Sequence, residues 1–78
     1  MNCYLCGCDQ VQIWDRDEGG KSLDCVLCGR FDITKAALEA KVRHPNGFDV
    51  NMNRLWLEDQ RKMNIDPPLI ESHTAYWD

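Results

Sequence analysis

The chain lacks the features that define several large protein classes. No apolar run approaches the about 20 residues that cross a bilayer, and no basic start followed by an apolar segment marks a secretory signal. The net charge is −4, so the basic footprint of a typical nucleic-acid-binding domain is missing. These absences predict a soluble cytoplasmic protein with no membrane partner.

The chain is also short for the number of cysteines it carries. Its 78 residues have room for one domain, 1–78, and a chain of this size buries only roughly 60% of its unfolded surface. Such a domain needs a stabilising cross-link or metal. The five cysteines cannot all pair, and the cytosol keeps thiols reduced, so metal binding is the better interpretation than disulfides.

Two five-residue segments, CYLCG at residues 3–7 and CVLCG at residues 25–29, repeat the same pattern. They place two Cys-x-x-Cys pairs 18 residues apart, a spacing typical of structural zinc sites with four thiolate ligands. A glycine follows each pair, and we expect Gly7 and Gly29 to leave the turn with positive φ. Leu5 and Leu27 are expected to shield the metal. The predicted ligands are Cys3, Cys6, Cys25 and Cys28, around one structural zinc ion.

Residues 3–28 resemble the zinc ribbon family, in which two such turns at the ends of a hairpin hold one zinc ion. The resemblance implies that all four cysteines are ligands and that no coordination position stays open. A weaker resemblance of CVLCGRFDIT extends to small bacterial and phage zinc-ribbon proteins of unassigned role. Rubredoxin uses similar turns to hold iron for electron transfer, so iron is the less favoured metal. The ribbon family identifies the metal site far better than it identifies a function.

Three further residues could bind metal or react. Cys8 is a spare thiol in the simplest interpretation, although it could replace a ligand or act as a redox thiol. His44 and His73 are better described as turn and tail residues, because four cysteines already fill a tetrahedral site.

The fold expected from these patterns is a small zinc-stabilised α+β domain. Residues 1–34 form the ribbon, with two strands around Val11–Ile13 and Lys21–Asp24 and a turn at residues 17–20. Phe31 and Ile33 alternate with polar residues and predict a short third strand.

Two helices are expected within residues 35–66. Thr34 caps the first, over residues 35–43, with Ala37, Leu38 and Val42 on its core face. Asn51 caps the second, which runs to about Met63. Its core face is expected to carry Met52, Leu55, Trp56 and Met63. Residues 67–78 form an extended arm, which the sequence leaves either docked or free.

Catalysis and nucleic-acid binding are both disfavoured by the sequence. A filled thiolate site has no position for water, and no nucleophile lies beside a base at a known motif spacing, so no catalytic residue is predicted. Seven basic residues between positions 30 and 62 could form a DNA- or RNA-binding surface, with Phe31 or Trp56 stacking on a base. Five acidic residues are interleaved with them, and the net charge repels phosphate.

The leading hypothesis is a non-enzymatic module that binds a protein. Aromatic residues dominate interaction hot spots, and acidic side chains can present charge where a partner expects phosphate. The candidate interface residues are Trp14, Asp15, Asp17, Glu18, Tyr76 and Trp77. The small size and acidity suit a phage or mobile-element inhibitor of a host machine, such as a polymerase or a nuclease-based defence complex of the CRISPR type. Oligomeric state is left open.

Overall fold

A computed structural model describes residues 2–78 and shows a four-stranded sheet with two α-helices. The strands are β1 (Val11–Asp15), β2 (Lys21–Cys25), β3 (Gly29–Ile33) and β4 (Leu69–Ile70). The helices are α1 (Lys35–Arg43) and α2 (Val50–Lys62), and a short 3₁₀ turn spans Asp17–Gly19. The expectation of a small α+β fold is therefore confirmed.

The sheet order is β1-β2-β3-β4, with the first three strands antiparallel and β4 parallel to β3. The sequence did not predict β4, because its two residues follow Pro67-Pro68 and show no alternation. Backbone hydrogen bonds from Asp32 N to Pro68 O (2.8 Å) and from Thr34 N to Ile70 O (3.0 Å) hold this segment against β3. The beginning of the C-terminal arm is therefore part of the sheet.

The hydrophobic core lies between one face of the sheet and the two helices. Leu23, Phe31, Ile33 and Ile70 from the strands are completely buried, as is Leu57 from α2. Complete burial of one such apolar side chain stabilises the folded state by roughly 1.5–3 kcal/mol. Phe31 is therefore a core residue and cannot stack on a nucleic-acid base.

The first helix begins as predicted but packs differently near its end. Thr34 caps it, since Thr34 Oγ1 accepts a hydrogen bond from Ala37 N at 3.2 Å, and Ala37 is buried. Val42 is 87% exposed, so its expected place on the core face is wrong. Lys41, which lies one turn after Ala37, is half-buried instead, with its Nζ 5.8 Å from the ring centroid of Tyr4 and 5.9 Å from that of Phe48.

The second helix differs from the prediction in both its cap and its core face. Asp49, not Asn51, is the N-cap, because Asp49 Oδ1 accepts a hydrogen bond from Met52 N at 3.0 Å. Asn53 and Leu57 face the core, and Trp56 packs at its edge. The other apolar residues of the predicted core face are exposed: Met52 by 43%, Leu55 by 57% and Met63 by 60%.

A buried polar network explains why α2 presents a different face to the core from the one that its apolar residues predict. Asn53 Nδ2 donates to Asp49 O (2.7 Å) and to Tyr76 O (2.8 Å), and Asn53 Oδ1 accepts from Tyr76 N (3.2 Å). All of these bonds are made inside the protein, so the buried amide carries no unpaired polar atom. The hydrogen-bonded amide of Asn53, rather than the apolar spacing of Met52, Leu55 and Met63, therefore determines which side of α2 faces the core.

The last residues of the arm are docked. Trp77 forms a bridge with Phe48, and Asp78 N donates to Gly47 O at 3.0 Å. The Trp77 ring stacks on the rings of both His44 and Phe48, with centroid distances of 4.1 and 4.6 Å. These stacked contacts resolve the alternative that the sequence left open. Neither helix of residues 2–78 has the length and apolar character of a membrane span.

Candidate metal centre

The four cysteines of the two Cys-x-x-Cys pairs come together at one end of the sheet. Their sulfur atoms all lie within 4.8 Å of one another, and Cys6 Sγ is 3.6 Å from Cys25 Sγ. Three of the side chains are buried, and that of Cys6 is half-buried. A tetrahedral zinc site with Zn–S bonds of about 2.3 Å has sulfur atoms about 3.8 Å apart. The cluster therefore fits a single four-coordinate metal ion.

Two tight turns bring the cysteines to this point. In the first, Gly7 N donates to Cys3 O at 2.9 Å, and Cys3 N donates to Cys8 O at 2.8 Å. The second turn joins β2 to β3, where Cys25 and Gly29 face each other in the ladder. Gly7 and Gly29 both have φ of 79°, as expected from the sequence. The repeated motif therefore encodes the same local turn twice.

One of the four thiols, that of Cys3, already favours its charged form. The hydrogen bond with Cys28 lowers the pKa of Cys3 to about 5, and backbone N–H groups of Cys6 and Leu5 add to this effect against the opposing influence of burial. Burial raises the pKa of Cys25. A divalent cation would stabilise all four thiolates, because a coordinating thiol loses its proton.

Two arginines of α2, which belong to the seven basic residues between positions 30 and 62, contact the second cysteine turn. Arg54 Nε donates to Cys28 Sγ at 3.5 Å. Arg61 Nη2 donates to Cys28 O at 2.9 Å and to Arg30 O at 2.8 Å. The two arginines are seven residues apart, which places them on one side of a helix two turns apart. That spacing was the available signal, but it did not indicate what the side chains contact.

The leucines inside the two turns have different surroundings. Leu5 is buried in the core cluster, whereas Leu27 is 63% exposed, so its predicted role in shielding the metal is wrong. Leu27 and Val26 lie at the tip of the second turn, between two cysteines that point inward. The side of this turn near Cys28 is covered instead by Arg54 and Arg61.

The remaining candidate ligands lie apart from the four-sulfur cluster. Cys8 is half-buried, and its sulfur accepts a hydrogen bond from Gln10 N at 3.4 Å. His44 stacks on Trp77, and His73 Nε2 is 3.9 Å from a carboxylate oxygen of Glu71. These contacts agree with the simpler interpretation of each residue as a spare thiol, a turn histidine and a tail histidine.

Five of the six predicted interface residues are exposed, and the sixth, Trp77, is half-buried. Trp14 is exposed on β1 with the Arg30 guanidinium 5.8 Å from its ring, Asp15 pairs with Lys21, and Asp17 and Glu18 are exposed in the 3₁₀ turn. Tyr76 is exposed beside Asn53. Trp77 is engaged in the stack with His44 and Phe48.

A cleft of about 670 Å³ lies where α1 begins. Its charged residues are of both signs, and the hydroxyl of Thr34 there already caps α1. The lining residues are Arg16, Asp17, Glu18, Gly20, Thr34, Lys35, Ala36, Leu69, Glu71 and Ser72.

No protein-family model, curated protein or solved structure matches this chain.

Proposed function

We propose that this chain is a non-enzymatic protein-binding module whose residues 1–34 form a zinc ribbon. The four clustered cysteines support the metal part of this proposal, because four thiolates at tetrahedral spacing are a preferred ligand set of zinc. Zinc bound there supplies folding energy rather than chemistry, since four protein ligands leave no position for water or substrate.

The observation that carries the binding role is the solvent-facing apolar stripe of α2. We define the α2 stripe as Met52 and Leu55 on α2 together with Met63 at its C-cap, which are about half exposed although their spacing would suit a core face. The opposite side of the same helix is fixed by Asn53 and Leu57 in the core, so the stripe cannot turn inward. Such a stripe fits an apolar groove of a partner protein, as amphipathic helices do, and methionine adapts well to such grooves.

Site-specific crosslinking tests this proposal. A photoreactive amino acid replaces Leu55 in one sample and Val42 in the control, because Val42 is an apolar residue on α1 that is even more exposed than Leu55. We expect a specific crosslinked partner only from position 55. The purified partner should then bind the wild-type chain and the V42E variant alike, and the L55E variant at least about tenfold more weakly, as for a hot-spot residue. Equal binding by L55E and V42E would contradict the role of the stripe.

Nucleic-acid binding is the weaker alternative. Phe31 is completely buried, and Arg54 and Arg61 are bonded to the second cysteine turn, so three of the residues that this hypothesis uses are engaged inside the protein. The role of a phage inhibitor of a host machine stays a prediction, and the identity of the crosslinked partner decides it.

A further inference from the structure

The first strand forms an open edge of the sheet. β1 pairs with β2 on one side, and no strand within residues 2–78 pairs with its other side. Hydrogen bonds from Arg16 N to Gly20 O (2.9 Å) and from Val26 N to Gln10 O (3.2 Å) show which residues bond to β2. Bonded and non-bonded pairs alternate in an antiparallel ladder, and the register of β1 against β2 is regular. The even-numbered residues of β1 therefore make the backbone hydrogen bonds with β2. The backbone groups of Val11, Ile13 and Asp15 therefore point outward along the edge.

This edge has few of the devices that normally prevent strand addition. Natural edge strands are often interrupted by proline, a bulge or an inward-pointing charge. β1 has the sequence VQIWD, with a regular register and its single charge at the last residue. The outer backbone groups of Val11, Ile13 and Asp15 take part in no hydrogen bond found within residues 2–78. β1 can therefore accept another strand without rearrangement of the sheet.

The charges at the two ends of β1 indicate what kind of strand it accepts. Asp9 precedes β1, and Asp17 and Glu18 follow it, all exposed and outside the ion pairs of the described residues. Two nearby basic residues are already paired, Arg16 with Asp32 and Lys21 with Asp15, and the guanidinium of a third, Arg30, lies over the Trp14 ring. A second copy of the chain, paired antiparallel about Ile13, would place Asp9 opposite Asp17 of the other copy. Like charges in this position disfavour self-association.

We propose that the open edge of β1 binds an extended, basic segment of a partner protein as an additional strand. The backbone groups of Val11, Ile13 and Asp15 supply the hydrogen bonds, and exposed Trp14 packs against a side chain of the incoming strand. Lysine or arginine residues at the ends of the segment pair with Asp9 and Asp17. This surface is separate from the α2 stripe, so the inference does not depend on it.

Blocked nine-residue peptides test the proposal on the metal-loaded, ¹⁵N-labelled protein by NMR. The probe alternates threonine and valine between terminal lysines. One control has terminal glutamates, and a second carries N-methyl groups on the residues that face β1. We expect the lysine peptide to bind roughly tenfold more tightly than the glutamate peptide, because two attractive charge pairs replace two repulsive ones. It should slow amide exchange at Val11, Ile13 and Asp15, whereas Gln12 and Trp14 already bond to β2.

Two variants make the outcome specific. D9K/D17K changes only exposed side chains and should keep the wild-type melting temperature while reversing the preference between the lysine and glutamate peptides. L55E should leave peptide binding unchanged, which separates this surface from the α2 stripe. The proposal is overturned if the N-methylated peptide binds equally well or if the changes centre on α2. It is also overturned if protection at Val11, Ile13 and Asp15 develops with protein concentration alone, which would identify a second copy as the occupant.

Discussion

Arg54 donates a hydrogen bond from Nε to Cys28 Sγ and so joins α2 directly to the candidate metal centre. The contact spans 26 residues of sequence and places a positive charge beside a group that becomes a thiolate when metal binds. The proximity of Cys28 correspondingly raises the pKa of the Arg54 guanidinium. Zinc with four thiolates carries a net charge of −2, so this arginine offsets part of that charge.

Replacing Arg54 should therefore weaken metal binding without removing a ligand. Removing a group that hydrogen-bonds to a metal ligand commonly lowers the affinity for the metal by roughly 10-fold to 100-fold. We expect Arg54→Ala to release zinc faster by a factor within this range. Arg43→Ala, at the exposed end of α1, is the matched control. Zinc transfer to a colorimetric chelator measures both rates. Equal release from the two variants would show that Arg54 does not support the site.

The buried amide of Asn53 should be a major determinant of stability. Asn53→Ala removes three side-chain hydrogen bonds and leaves the Tyr76 N–H without a partner, although Tyr76 O keeps its bond from Asp49 N, and we expect a cost of about 2–4 kcal/mol. Asn51→Ala, on the exposed side of the same helix, should change stability by less than about 0.5 kcal/mol. Urea unfolding of the metal-loaded proteins measures the difference. Similar midpoints for both variants would refute the importance of the network.

The two turn glycines offer a matched pair of substitutions. Both have φ of 79°, so alanine at either position costs about 1–2 kcal/mol of backbone strain. A Cβ at Gly29 would also lie 2.8 Å from Arg61 Nη2, whereas a Cβ at Gly7 would meet nothing within 4 Å. We expect Gly29→Ala to be the more destabilising by about 1–3 kcal/mol, because Arg61 loses its bonds to Cys28 O and Arg30 O.

An Arg61→Ala background provides the control for the glycine pair. With the guanidinium removed, Gly7→Ala and Gly29→Ala should have nearly equal effects on the free energy of unfolding. A difference that persists in this background would point to another cause for the sensitivity of Gly29.

Acid should destabilise the metal-loaded protein. Before metal binds, the hydrogen bond with Cys28 lowers the pKa of Cys3 to about 5, and coordination replaces that bond and keeps all four thiols deprotonated. A group with a lowered folded-state pKa contributes its full stabilisation above its ordinary pKa, about 8.5 for cysteine, and loses it as the pH falls toward the lowered value. The melting temperature should therefore fall steadily from pH 8.5 to about 5. A flat or rising profile in this window would contradict thiolate ligation.

Local features of the fold were predictable from the sequence because they depend on neighbouring residues. The repeated cysteine motif set the two turns, and Gly7 and Gly29 indicated their conformation. Thr34 marked the beginning of α1, since an N-cap requires only a side-chain oxygen and nearby backbone N–H groups. The gathering of four sulfur atoms followed from the same motif.

Features that depend on distant parts of the chain were missed. β4 is two residues long and exists only because β3 lies beside it. The core face of α2 is set by Asn53 and its bonds to Tyr76, 23 residues away, which no helical period can show. The exposure of Leu27 likewise follows from the tip position of its turn and the packing of α2 against Cys28.

The most direct test of the account is the metal content of the reduced protein and the effect of its removal. We predict one zinc ion per chain by native mass spectrometry, retained in Cys8→Ser and lost in Cys28→Ser. Structural zinc in small zinc-binding peptides contributes an apparent ~10–16 kcal/mol near neutral pH, more than a typical domain's whole stability. Strong chelation should therefore abolish the sheet signal in circular dichroism and the cooperative melting transition. Bound iron with visible absorbance, or an unchanged spectrum and melting curve after chelation, would contradict the structural-zinc centre.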